Sequence, residues 1–71
     1  MNTQMLKGII VANDGSQKVL AEAMGISLSR LNAKMNETGA EFNKSEIQFI
    51  RERYKLTRKQ VMDIFFTQPV S

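Results

Sequence analysis

The sequence contains no cysteine and no histidine, and its single proline lies near the carboxyl end. Without cysteine there are no disulfides or thiolate metal sites, and without histidine the usual general base and the commonest metal ligand are missing. The longest apolar run covers only residues 9–12, far below the roughly 20 residues that cross a bilayer. No basic flank precedes an apolar stretch at the amino terminus, so we expect no secretory signal and a cytoplasmic location.

The carboxylates also give little support to catalysis. They are spread over helix faces and loops, at Asp14, Glu22, Glu37, Glu41, Glu46, Glu52 and Asp63. No two of them share an apolar stretch that would shift their pKa values. We therefore predict that the protein is not an enzyme and binds no metal and no cofactor.

The length and composition predict one small globular domain over residues 1–71. Apolar residues make up 42% of the chain, too many for a disordered segment. The net charge of +3 suits a polyanionic partner without requiring one. Residues 51–59 contain five cationic side chains, which we interpret as a solvated face of the protein. Cations are also favourable near a helix C-terminus, where this run is expected to lie.

Apolar residues at helical spacing predict an all-α fold of five short helices. We expect helix 1 over residues 3–12, a turn at residues 13–15, and helix 2 capped by Ser16 and ended by Gly25. Ser27 is expected to cap helix 3, which runs to about Met35. Helices 4 and 5 each begin with a predicted capping box, Asn43 with Glu46 and Thr57 with Gln60. Phe42 is expected to pack on the core from a loop, and residues 67–71 are expected to fray.

The most informative segment covers residues 17–31, QKVLAEAMGISLSRL. It predicts two short helices joined by a turn of about three residues that contains Gly25. This arrangement is typical of a helix-turn-helix, which offers its second helix to the DNA major groove. Ala21 is small enough for the helices to cross closely, and Ile26 and Leu31 are expected to face inward.

The spacing of Gln17, Leu20-Ala21, Met24-Gly25-Ile26-Ser27 and Leu31 resembles the Cro and repressor family of phage and prophage regulators. The similarity extends over roughly residues 5–66, and the stretch from Phe42 to Phe66 resembles short Cro-like proteins from phages of Gram-positive bacteria. The resemblance implies a compact five-helix domain that binds operator DNA, usually as a dimer, and acts as a transcriptional switch.

The resemblance and the residue types also imply a set of DNA contacts. The expected base contacts are Ser27, Leu28, Ser29, Asn32 and Ala33. Asn32 is the strongest of them because an amide can form two hydrogen bonds with adenine. The expected phosphate contacts are Gln17, Arg30, Lys34, Asn36 and Lys44. No arginine is clearly placed to read guanine, so specificity is expected to depend partly on DNA shape.

A second apolar set, consisting of Phe49, Met62, Phe66 and Val70, lies outside the predicted core stripes. One interpretation is that the domain covers these side chains itself. The other is a contact surface for a second copy or for another protein, because exposed phenylalanines reduce the solubility of a small chain. The set leaves a second function open, that of a phage modulator which binds a partner repressor. Salt dependence of DNA binding separates that function from DNA reading.

Overall fold

A computed structural model describes residues 1–36 and 41–66, which form five α-helices and no strand. The helices are α1 (Thr3–Asp14), α2 (Gln17–Met24), α3 (Leu28–Met35), α4 (Lys44–Tyr54) and α5 (Arg58–Phe65). The all-α five-helix prediction is confirmed. The predicted fraying at residues 67–71 and most of the predicted loop at 36–40 lie outside the described residues.

Helix α1 is two residues longer than predicted. The Asn13 side chain donates to the Ile9 carbonyl oxygen at 2.8 Å, so Asn13 continues the helix instead of starting a turn. Gly15 then ends the helix in the left-handed conformation (φ 80°), with its N–H donating to the Val11 carbonyl. The predicted turn at residues 13–15 is therefore correct only at Gly15, because Asn13 and Asp14 belong to the helix.

All four predicted N-cap residues stand at the N-cap position of their helix, and three of them make the capping hydrogen bond. The Ser27 hydroxyl accepts the Arg30 N–H at 3.1 Å, and both capping boxes form. Ser16 is the N-cap residue of α2 as predicted, but its side chain makes no capping hydrogen bond in the described structure. The first turn of α2 therefore begins without side-chain satisfaction of its backbone N–H groups.

The core takes at least one fully buried aliphatic side chain from every helix. These side chains include Leu6, Leu20, Leu31, Ile50 and Ile64. Phe42 packs against this core from the segment before α4, and its ring meets Phe65 edge-on at 5.6 Å between centroids, as its predicted role requires. Within residues 1–36 and 41–66, no helix combines the length and apolar character needed to cross a membrane.

A polar cluster joins the end of α1 to the end of α4. The Asp14 carboxylate accepts two hydrogen bonds from the Arg53 guanidinium, at 2.9 and 3.1 Å, and one from the Tyr54 hydroxyl at 2.6 Å. These donors, Arg53 first, hold the pKa of Asp14 below its ordinary value. Burial and the neighbouring carboxylate raise the pKa of Tyr54, so its hydroxyl stays a donor. An acid at a helix C-terminus is unfavourable by itself, and this cluster compensates it.

The Asp14 cluster predicts a specific loss of stability in acid. Because the pKa of Asp14 is lower in the folded chain, its stabilisation is complete above about pH 5 and disappears as pH falls through the lowered pKa. Asp14→Asn should be less stable at pH 7 by about 1–2 kcal/mol, because the hydrogen bonds from Arg53 and Tyr54 lose their charged acceptor. Melting curves of both proteins between pH 7 and pH 2.5 measure this difference. A difference in stability between the two proteins that stays constant from pH 7 to pH 2.5 would contradict the role of the Asp14 carboxylate.

Candidate nucleic-acid interface

Helices α2 and α3 are consecutive and are joined by only three residues, 25–27. Gly25 adopts the left-handed conformation at φ 74° and donates its N–H to the carbonyls of Ala21 and Glu22. The Ile26 N–H also donates to Ala21, at 3.0 Å, so the carbonyls that end α2 are satisfied by the turn itself. The buried side chains of Leu20, Ala21 and Leu31 then hold the two helices against the core.

The backbone at Gly25 predicts opposite results for two glycine substitutions. A Cβ at Gly25 meets open space, but its φ of 74° is unfavourable for an L-residue, so Gly25→Ala should cost about 1 kcal/mol or more. Gly8 lies inside α1 with equally open surroundings and no positive φ. Gly8→Ala should therefore stabilise the protein by about 0.5–1 kcal/mol. Urea unfolding of both variants measures this, and equal effects would show that backbone conformation at Gly25 is unimportant.

Helix α3 is divided into an inner and an outer face. Leu31, Lys34 and Met35 are buried. Ser29 is exposed on the opposite side, with Asn32 and Ala33 half-buried beside it. The helix contains no acidic residue. Apart from the exposed Leu28, its accessible face is therefore polar or small, and it carries no charge that would repel a polyanion.

The five predicted base-contact residues all lie on or immediately before α3. Ser27 caps the helix, and Leu28 begins it with 41% of its surface exposed. Ser29, Asn32 and Ala33 follow along the outer face. The structure therefore brings the predicted set together on one accessible surface.

Four of the five predicted phosphate contacts border that surface or lie at nearby helix ends. Arg30 is exposed on α3, and Asn36 caps the C-terminus of α3 and is exposed. Gln17 is the first residue of α2 and Lys44 the first residue of α4, where Lys44 is exposed. These positions supply two cations and two amides.

The structure corrects the prediction for Lys34. Only 4% of this residue is exposed, and its ammonium group donates to the Glu46 carboxylate at 2.9 Å and to the Glu41 carbonyl at 3.1 Å. The ammonium group is thus engaged inside the protein and is not offered to a phosphate. The helical phase of Lys34, three residues after Leu31 and adjacent to Met35, was the signal that places it inward.

Glu46 has a second role besides the predicted capping box. Burial raises its pKa, but hydrogen bonds from the Asn43 backbone N–H and from Lys34 outweigh that effect, so its pKa lies below the ordinary value. The carboxylate is therefore charged at neutral pH and balances the buried ammonium group. Its partner lies 12 residues away, which no local pattern indicates.

Of the four residues predicted to contact a partner, two are exposed on α5. Met62 and Phe66 are about half exposed on α5, at 51% and 54%. Phe49 is half-buried against the core and lines a cavity of about 210 Å³ with Met24 and Ser45, so it lies apart from the exposed pair on α5, and its role in a contact stays a prediction. Val70 lies outside the described residues.

Two cations of the basic run at residues 51–59 have acidic partners within the chain. Arg53 pairs with Asp14 at 2.9 Å, and Lys59 pairs with Asp63 one turn later at 3.1 Å. These pairs agree with the interpretation of this run as a solvated, partly neutralised face. The described residues contain no group of three or more acidic side chains placed to hold a metal ion.

No protein-family model, curated protein or solved structure matches this chain at a significant level.

Proposed function

We propose that this protein is a sequence-specific DNA-binding regulator of transcription, of the Cro and repressor type, in which α2 and α3 act as a helix-turn-helix. In this proposal α3 enters the major groove of an operator in a phage or prophage switch, inside the bacterial cell. The observation that carries the proposal is the division of α3 into a buried stripe and an accessible, acid-free face after a three-residue turn.

The outer face of α3 offers groups that suit base edges. The Asn32 amide can donate to and accept from adenine, and the exposed Leu28 can pack against a thymine methyl group. Ser29 is short enough to let the helix approach closely. The absence of an arginine on the centre of this face favours A·T-rich contacts and a contribution from DNA shape.

The phosphate contacts are proposed at Arg30, Lys44, Gln17 and Asn36. Such contacts fix the position of the protein on the duplex and supply salt-dependent affinity without reading sequence. Two cations for each protomer give four for a dimer. The logarithm of the binding constant should then fall with the logarithm of salt concentration with a slope of about −3.6.

A homodimer is proposed because α5 presents a self-complementary face. At 100° per residue, Lys59, Met62, Asp63 and Phe66 fall within about 100° of the helix circumference. In an antiparallel pairing whose two-fold axis passes between Met62 and Asp63, Phe66 of one protomer would lie near Lys59 of its partner, with the two Met62 side chains close to the axis. A palindromic operator with half-sites about 34 Å apart would match such a dimer.

The proposal is tested by measuring binding to labelled DNA that flanks the protein's own gene. Fluorescence anisotropy is recorded at several salt concentrations with excess non-specific competitor. We expect competitor-resistant binding that weakens steeply with salt. Binding that the competitor abolishes equally at all salt concentrations would overturn the proposal.

The second candidate function is that of a phage modulator which binds a partner repressor. The observation that favours it is the exposed Phe66, which together with Phe42 and Phe65 lines a cavity of about 230 Å³. In this function a side chain of the partner repressor would occupy the cavity, and the repressor instead of DNA would be the functional ligand. A protein that fails the DNA test but binds a repressor with an affinity that Phe66→Ser abolishes would establish this function instead.

A further inference from the structure

Lys34 is the only buried charged or polar residue among those the structure describes. It extends from the last turn of α3 to the start of α4, where its ammonium group contacts Glu46 and the Glu41 carbonyl. A buried charge costs free energy unless it is paired and hydrogen-bonded, and here it is both. The side chain thus joins the carboxyl end of the proposed recognition helix to the segment that begins α4.

The acceptor of this contact is itself held in place. The Glu46 oxygen that accepts from Lys34 also accepts the backbone N–H of Asn43 at 2.9 Å. The Asn43 side chain in turn accepts the Glu46 N–H at 2.8 Å. Lys34 is therefore attached to a closed capping box, and not to a freely rotating carboxylate.

A second hydrogen bond holds the same end of α3 from the other side. The Thr3 hydroxyl, at the start of α1, donates to the Met35 carbonyl at 2.8 Å. The last turn of α3 is thus connected to α1 through Thr3 and to α4 through Lys34. Loss of the Lys34 contact would remove this polar link between the end of α3 and α4, while the shared core and the Thr3 contact would remain.

We infer that Lys34 is a positioning residue for DNA recognition. Its contact with Glu46 holds the carboxyl end of α3, and with it the base-facing side chains of α3, against the capping box of α4. This inference rests on the proposed DNA-binding function. It assigns Lys34 an effect on affinity without any contact with a phosphate.

The salt dependence of binding distinguishes positioning from phosphate contact. Lys34→Met keeps the unbranched side chain up to its fourth heavy atom and removes the ammonium group. We expect it to lower operator affinity by about tenfold, as is typical of coupling through packed residues, with an unchanged salt slope. Lys44→Met is the matched control, since it removes an exposed cation at the start of α4. It should make the slope shallower by about 0.9 for each protomer.

Two further variants separate positioning from general destabilisation. Ile10→Val, in the core on α1, should lower the melting temperature and leave operator affinity unchanged at temperatures where the protein is folded. Glu46→Gln keeps an oxygen for both donors but removes the negative charge, so it should weaken binding in the same direction as Lys34→Met with the same salt slope. Glu46→Gln also serves as the test if Lys34→Met does not fold.

The possible outcomes are distinct. If the wild-type protein shows no competitor-resistant binding, the proposed function is overturned, and the inference falls with it. If the wild type binds and both Lys34→Met and Glu46→Gln retain its affinity while folded, only the positioning role is overturned. A shallower slope for Lys34→Met would also overturn it, because Lys34 would then contact a phosphate.

Discussion

Replacing Asn32 by alanine is expected to lower specific operator affinity by about 1–3 kcal/mol, which is roughly 5- to 150-fold. Asn32 lies at the edge of the outer face of α3, half-buried and beside the exposed Ser29. Its amide is the group on this face that can form a bidentate contact with a base. The alanine that replaces it is a good helix former and fills no core position, so the melting temperature should be nearly unchanged.

The measurement is a pair of anisotropy titrations, one with the operator and one with non-specific DNA of the same length. Asn32→Ala should weaken the first and leave the second unchanged, because non-specific affinity comes from phosphate contacts. Asn13→Ala is the matched control, since Asn13 is exposed at the end of α1. Equal operator affinity for Asn32→Ala and wild type would remove Asn32 from the reading surface.

Replacing Phe66 by serine is expected to weaken self-association by roughly thirtyfold. About half of the Phe66 surface is exposed in the single chain. Burying that half in both protomers of a dimer contributes about 2 kcal/mol, or roughly 1 kcal/mol for each side chain. Because the residue is already half exposed, the stability of the isolated chain should change less than the association constant.

Sedimentation equilibrium over a range of protein concentrations measures this prediction, with melting curves recorded in parallel. Val11→Ser is the matched control, because Val11 is 57% exposed on α1, outside the proposed interface. A large fall in melting temperature with an unchanged association state would show that Phe66 belongs to the core. A wild-type protein that stays monomeric even on operator DNA would contradict the dimer.

Local chemistry explains why much of the fold was predictable from the sequence. The capping boxes at Asn43 and Thr57 depend on residues three positions apart, so their signals lie in a few adjacent letters. The same holds for Gly25, whose conformation ends α2 where the apolar periodicity stops. Ser16 shows the limit of such signals, since a residue of the right type at a helix start does not have to make the capping hydrogen bond.

The long-range polar contacts were not predictable in this way. Asp14 meets Arg53 and Tyr54 across about 40 positions of sequence, and its local context indicated only a turn. Lys34 was assigned to phosphate because it is cationic and lies next to the proposed reading surface. A positive charge favours an exposed side chain, whereas the helical phase of Lys34 places it on the inner face of α3. The ion pair with Glu46 allows the charged group to be buried there. The same phase argument correctly predicted the outer position of Ser29.

The most direct test of the central claim is to map where DNA touches the protein. A chain of 71 residues is small enough for backbone amide resonances to be followed by NMR during titration with operator DNA. We predict that the largest shifts fall on residues 27–33, with further shifts at Gln17, Asn36 and Lys44. Shifts concentrated on residues 51–59, with α3 unaffected, would contradict the assignment of α3 as the recognition helix.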